Sequence, residues 1–353
     1  MPRFKIGAAA LGLVLAVLAA APANAWKRGD VDVLATLPAA TGSVEGLTVG
    51  PDGNIYVPTF GFNTTGLLSG PATLFVISPN GNIVRKVTIA PSSGHMLGLR
   101  FNPVTSALWV LDFGAGNVLN VDPHTGASSV LAGPIAGSGL NALTFDSAGN
   151  GYVSDSFNGT IWKIGPHGGG ATAWKTDPLL GNGGGALTPP FGANGVEFSN
   201  DGKTMFVANT AFHQLIQIAV NTGGSAGAAS IFVSGINAPD GIAIDRNDNI
   251  WICANQEDEI VVIDKTGKVI AKLGDFRGID NKGIAQGFLF PASLAFSRDG
   301  ATLYVSNLTL FLPFADPNPG NVAIDSAWTL QVKGYTVSRL PAKIPPFPDK
   351  DGN

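Results

Sequence analysis

The chain is 353 residues long, with 25 Asp plus Glu against 21 Lys plus Arg and a formal net charge of -4. That balance opposes a general affinity for nucleic acid or anionic lipid. The 47 glycines and 24 prolines mark a chain rich in turns, while 45% apolar residues exclude disorder as its general state.

In chain order, the first expected element is an export signal. Met1-Pro2-Arg3-Phe4-Lys5 is a basic opening, Ile6 to Ala21 is apolar, and Ala23-Asn24-Ala25 fits a small-residue cleavage site before Trp26. Residues 1–25 are therefore expected to be removed, leaving an exported protein, periplasmic or extracellular. Retention as an anchor is the alternative, but the apolar core is short for a span. No later stretch reads as a transmembrane helix, so no stable membrane span is expected after removal.

The body of the chain repeats one unit. Its clearest copy is Asn237-Ala238-Pro239-Asp240-Gly241 leading an apolar strand, an Asx-rich turn at Asp245-Arg246-Asn247-Asp248-Asn249, and a second apolar strand ending at Asn255. This is a hairpin signal. Related copies open at positions 45, 97, 141, 194, 240 and 292, at intervals of 44 to 53 residues. Six returns with strand pairs and no helical periodicity predict an all-β fold, a six-bladed β-propeller with one four-stranded sheet per unit. An irregular sandwich would not require such regular spacing.

Unit 1 places strands near 46–50, 54–58, 73–78 and 83–89, with an unusually apolar loop from Phe60 to Gly70. Units 2 to 5 cover about 97–133, 141–176, 194–235 and 240–274. Trp109, Trp162, Phe206 and Trp251 are expected to pack between neighbouring sheets. Unit 6 supplies Ser293 to Ser297, Thr302 to Ser306 and, after a Pro-rich excursion, a strand near Leu330 to Val337. Its missing fourth strand is supplied by Val31 to Leu37, so the ring is expected to close across the termini. The propeller then spans 26–343, with 344–353 as a tail. Cys253 is the single cysteine, so no internal disulfide supports the fold, and its apolar surroundings favour a buried thiol over a nucleophile.

The opening residue of each unit sits where the chain enters its innermost strand. Ring geometry therefore brings Glu45, Asn141, Asn194 and Asp240 to one end of the central channel, while units 2 and 6 place Leu97 and Ala292 there. Two carboxylates and two amides, with no sulfur or imidazole, make a hard-cation site. Calcium suits it best and magnesium second. Each residue could instead hydrogen-bond a tight backbone crossing, but four acceptors at equivalent positions need a counter-ion, or else protons and water.

These stretches carry a resemblance. Val44-Glu45-Gly46-Leu47, Leu140-Asn141-Ala142-Leu143, Ala193-Asn194-Gly195-Val196-Glu197-Phe198 and Ala238-Pro239-Asp240-Gly241-Ile242 make the chain resemble the six-bladed calcium-dependent hydrolases: gluconolactonase, regucalcin (senescence marker protein 30), diisopropylfluorophosphatase and, more distantly, the paraoxonases. The resemblance implies that Glu45, Asn141, Asn194 and Asp240 hold a catalytic calcium ion, and that Asp240 serves as nucleophile or general base. One departure stands out. Sugar-acid-processing members place an arginine two residues before the third-unit asparagine, where this chain has Gly139. Phe60, Phe62, Leu67, Leu68, Phe191, Phe212, Phe288, Phe290, Leu310, Phe311 and Phe314 fall around the same expected mouth and favour an apolar small-molecule substrate.

The expected activity is calcium-dependent hydrolysis of a lactone, ester or related electrophile. His95, two residues before Leu97, is a second candidate for proton transfer beside Asp240. His213 also approaches the mouth, whereas His124 and His167 occupy outer turns. Two other readings remain open at this point: a non-catalytic scaffold or binding propeller of the NHL type, and a metal-dependent lyase on a related propeller.

Overall fold

The computed structural model describes residues 28–63, 65–183, 191–311 and 326–343. The expected signal at 1–25 and tail at 344–353 lie outside these residues, as does Phe314. Six four-stranded antiparallel sheets form the blades of a β-propeller. Their innermost strands are Thr48–Val49, Met96–Phe101, Leu140–Phe145, Ala193–Phe198, Pro239–Ile244 and Pro291–Phe296, each beside the next around the axis.

Glycine after the opening residue lets these strands approach. A Cβ at Gly46 would stand 2.1 Å from the Leu97 carbonyl oxygen, and one at Gly195 would stand 2.2 Å from that of Asp240. The Glu-Gly, Asn-Gly and Asp-Gly pairs of the sequence thus encode close packing around the axis.

The Asx-rich turns have a local cause as well. Asp245 accepts the backbone N–H groups of Asn247 and Asn249 at 2.8 and 3.0 Å on one oxygen, and the Asn249 amide and Trp251 indole at 2.8 and 3.0 Å on the other. Asp146 repeats the arrangement with Asn150 and Tyr152. The turn therefore fixes the next aromatic side chain as well as the backbone.

The core is divided into six apolar wedges, one between each pair of adjacent blades. Trp109 meets Phe145 edge to face at 5.0 Å, and Trp251 meets Phe296 in the same way at 5.4 Å. Phe206 lies in the wedge between blades 4 and 5. Trp162 differs in depth: it sits on a third strand, half-buried, and donates its indole N–H to Asp155 at 3.0 Å. No blade can bury these faces alone, so the ring stands or falls through its interfaces. Cys253 is buried in the wedge between blades 5 and 6 and is a free thiol.

Closure across the termini is present. Asp32–Pro38 pairs antiparallel with Gly334–Pro341, with Leu37 opposite Tyr335, and completes the sixth sheet. The last strand starts later than the expected Leu330. A helical turn at Ser326–Thr329 is followed by tight turns in which Gln331 and Val332 bond back to Trp328 and Thr329, leaving Leu330 exposed. A hairpin of Phe276–Ile279 with Ala285–Gly287, between blades 5 and 6, was not expected. Its strands are short and interrupted by Gly278, so they carry no alternating pattern. No helix among the described residues is long and apolar enough to cross a membrane.

Candidate metal and active site

Glu45, Asn141, Asn194 and Asp240 line one cavity of about 60 Å³ at the end of the channel where the inner strands begin. Each is about 95% buried. Leu97 lines the same cavity, while Ala292 is buried in an apolar cluster with Phe62, Phe290, Leu308 and Leu310.

A tier of supporting side chains, not anticipated from sequence, orients three of the four. The Asn141 amide donates to Ser156 Oγ at 3.3 Å, and the Asn194 amide donates to Thr210 Oγ1 at 3.1 Å. Both hydroxyl protons are committed to backbone carbonyls of the next blade, Ser156 to Ala193 at 2.7 Å and Thr210 to Pro239 at 2.8 Å. Each hydroxyl must therefore accept from its asparagine, which fixes the amide flip. Asn255 donates to Asp240 Oδ2 at 2.9 Å. Ser156, Thr210 and Asn255 all follow the second strand of their blades closely, and that shared position was the signal available in the sequence.

Two acceptors are left over. Asn141 Oδ1 and Asp240 Oδ1 are buried with no hydrogen-bond partner among the described residues. Burial, and then the charge of Asp240, hold the Glu45 carboxyl well above the usual carboxylate range. Burial pushes Asp240 up to about 8, against the opposing hydrogen bonds from Asn255 and Asn194. Two acids desolvated together with unsatisfied oxygens require either protons or a cation. Among the described residues, no three His, Cys, Asp or Glu side chains gather as a metal cluster. The chemistry here is that of two acids with two amides, an oxygen set that fits a hard cation.

His95 does not line the cavity. Its Nδ1 lies 2.9 Å from the Phe60 carbonyl oxygen and its ring stands edge-on to Phe60, one layer behind the wall. His213 Nδ1 accepts the Ala238 N–H at 2.9 Å, just before Pro239-Asp240, and burial lowers its pKa. His124 and His167 are exposed.

The walls are apolar. Phe60, Phe191, Phe290 and Leu310 line the cavity as expected, joined by Phe113 and Leu308. Leu67 is exposed and Phe288 is fully buried in the wedge between blades 5 and 6. Above Gly139 lies the ring of Phe157, 2.8 Å from where a Cβ would stand.

Residues 188–274 match the family model described as the SMP-30/Gluconolactonase/LRE-like region. No curated protein matches the sequence significantly. Similar solved structures include the calcium-binding protein regucalcin from Agrobacterium tumefaciens, 19% identical, covering 90% of this chain and 96% of that one with a TM-score of 0.59. A gluconolactonase from Xanthomonas campestris is 15% identical, with 91% and 98% covered and a TM-score of 0.58. A streptogramin B lyase is 14% identical, with 90% and 100% covered and a TM-score of 0.57. At these identities the structures speak to the fold alone. The match over blades 4 and 5 agrees with the resemblance carried by Ala193-Asn194-Gly195 and Pro239-Asp240-Gly241: the sequence's likeness is to the SMP-30/gluconolactonase family.

Proposed function

We propose that this protein is a calcium-dependent hydrolase of a lactone, ester or related electrophile with an apolar substrate. The observation that carries the reading is the pair of unpartnered buried oxygens, Asn141 Oδ1 and Asp240 Oδ1, in a cavity shared with Glu45 and Asn194. The family match and the fold shared with a gluconolactonase and a calcium-binding regucalcin support a lactonase-type hydrolase.

Glu45, Asn141, Asn194 and Asp240 would hold the ion. When bound, calcium supplies polarisation of the substrate carbonyl and stabilisation of the negative charge that develops there. Asp240 takes the proton from an attacking water through its carboxylate, while Asn255 holds Oδ2 in place. The oxygen of that water bonds to the acyl carbon, the acyl C–O bond breaks, and the proton passes to the departing alkoxide. The products are a carboxylic acid and an alcohol, joined in one molecule when the substrate is a lactone. His95 holds the Phe60 wall through Nδ1. The aromatic lining displaces water from the reacting carbonyl.

The test is turnover of aromatic esters and lactones in isotopically labelled water with calcium present. Label in the acid product is the expected result. Turnover without label would mark a lyase, and no turnover would leave a binding or scaffold propeller. Export belongs to the same proposal, and protein recovered outside the cytoplasm should begin at Trp26.

A further inference from the structure

We propose that four phenylalanines at the mouth, Phe60, Phe113, Phe157 and Phe191, form a subsite for the uncharged apolar tail of the substrate, with Phe157 as its outer platform. The inference rests on the hydrolase reading for the reacting head group only. A cavity of about 60 Å³ is only about twice the roughly 30 Å³ that a single water occupies in the liquid. Only a carbonyl head group can reach the oxygen donors, so the rest of the substrate lies on what surrounds the opening.

What surrounds it is a continuous chain of rings. Phe60 meets Phe113 edge to face at 5.8 Å, Phe113 meets Phe157 edge to face at 5.7 Å, and Phe157 stacks on Phe191 at 5.9 Å with 29° between planes. Phe60, Phe113 and Phe191 line the cavity itself, whereas Phe157 is 41% exposed. The arc therefore leads from the buried donors outward to solvent.

Its outer ring is held in place. Asp155, fully buried, accepts the N–H groups of Gly139 and Phe157 on one oxygen at 2.9 and 3.1 Å. The ring then lies over Gly139, where any side chain would collide with it. No lysine or arginine lines the cavity among the described residues, so nothing there would pair with a charged tail. Flat aryl groups and straight acyl chains match a fixed row of rings.

The test uses 4-nitrophenyl esters from acetate to hexanoate and, separately, the phenyl ketones acetophenone and hexanophenone, which cannot be hydrolysed. With the wild-type protein, kcat/KM should rise by up to about fourfold per added methylene, and calorimetry should show hexanophenone binding more tightly than acetophenone. Phe157→Ala and, independently, Gly139→Ala should raise KM for the hexanoate several-fold more than for the acetate ester, and Phe157→Tyr should restore the preference. Equal affinity of the wild-type protein for the two ketones would overturn the subsite. A ketone preference without any ester turnover would uphold the subsite and overturn the hydrolase reading.

Discussion

The two ends of the axial channel are built from the same inner strands and are solved in opposite ways. At the end where those strands finish, a cavity of about 330 Å³ contains Arg100 and Glu197. There Arg100 pairs with Glu197, Thr144 donates to the other Glu197 oxygen at 2.6 Å, and Arg100 also reaches Thr144 at 3.1 Å. The carboxylate is answered within the protein. At the end where the strands begin, Glu45 and Asp240 are buried more deeply and, among the described residues, no cationic side chain accompanies them in the cavity. Charge balanced locally serves the fold, while acceptors left open in a buried site await something from outside.

Breaking the open end should have the largest effect. Asp240→Asn removes the proton acceptor and one of the two charges, and turnover should fall by about 10²- to 10⁴-fold, as steady-state kinetics at saturating calcium would show. The supporting tier comes next. Ser156→Ala with Thr210→Val frees the two asparagine amides to turn, and calcium affinity measured by calorimetry should drop by about tenfold or more with all four proposed ligands intact.

Acidity sharpens the same contrast. The native pKa values of Glu45 and Asp240 lie above their unfolded values, with Asp240 at about 8. The native state therefore binds more protons than the unfolded chain, so this contribution is fully present below the unfolded values near 4 and is lost as pH rises to about 8. Denaturant unfolding of the metal-free protein should show that decline, and calcium should flatten it. The smallest effect belongs to the closed end. Arg100→Met exposes a half-solvated pair to loss, so stability should fall by only about 1 kcal/mol with calcium affinity unchanged. An equal loss of affinity from that substitution would erase the distinction between the two ends.

Much of this architecture was legible in the sequence because the repeat is enforced locally. Gly46, Gly195 and Gly241 recur where neighbouring backbones nearly touch, and Asp146 and Asp245 recur where one side chain ties a turn to an aromatic ring. Positional equivalence was enough to bring Glu45, Asn141, Asn194 and Asp240 to one mouth. What escaped depended on loop paths. Ser156, Thr210 and Asn255 share a place just after the second strand of their blades, but the hydrogen bonds through which they act depend on contacts that the repeat alone does not show. Phe113 and Phe157 gain their meaning only from ring contacts across blades. Phe288, expected around the mouth, is instead buried in a wedge. His95, two residues before Leu97, stands outside the lining of the cavity, with Nδ1 at the Phe60 carbonyl.

Calorimetric titration of the metal-free protein with calcium, alongside Glu45→Gln, tests the central claim most directly. One ion should bind per chain and raise the melting temperature of the wild-type protein, since a ligand that binds only the native ring stabilises it, and Glu45→Gln should weaken both effects together. Heatless titration with an unmoved melting temperature, or the same binding in the variant, would contradict it.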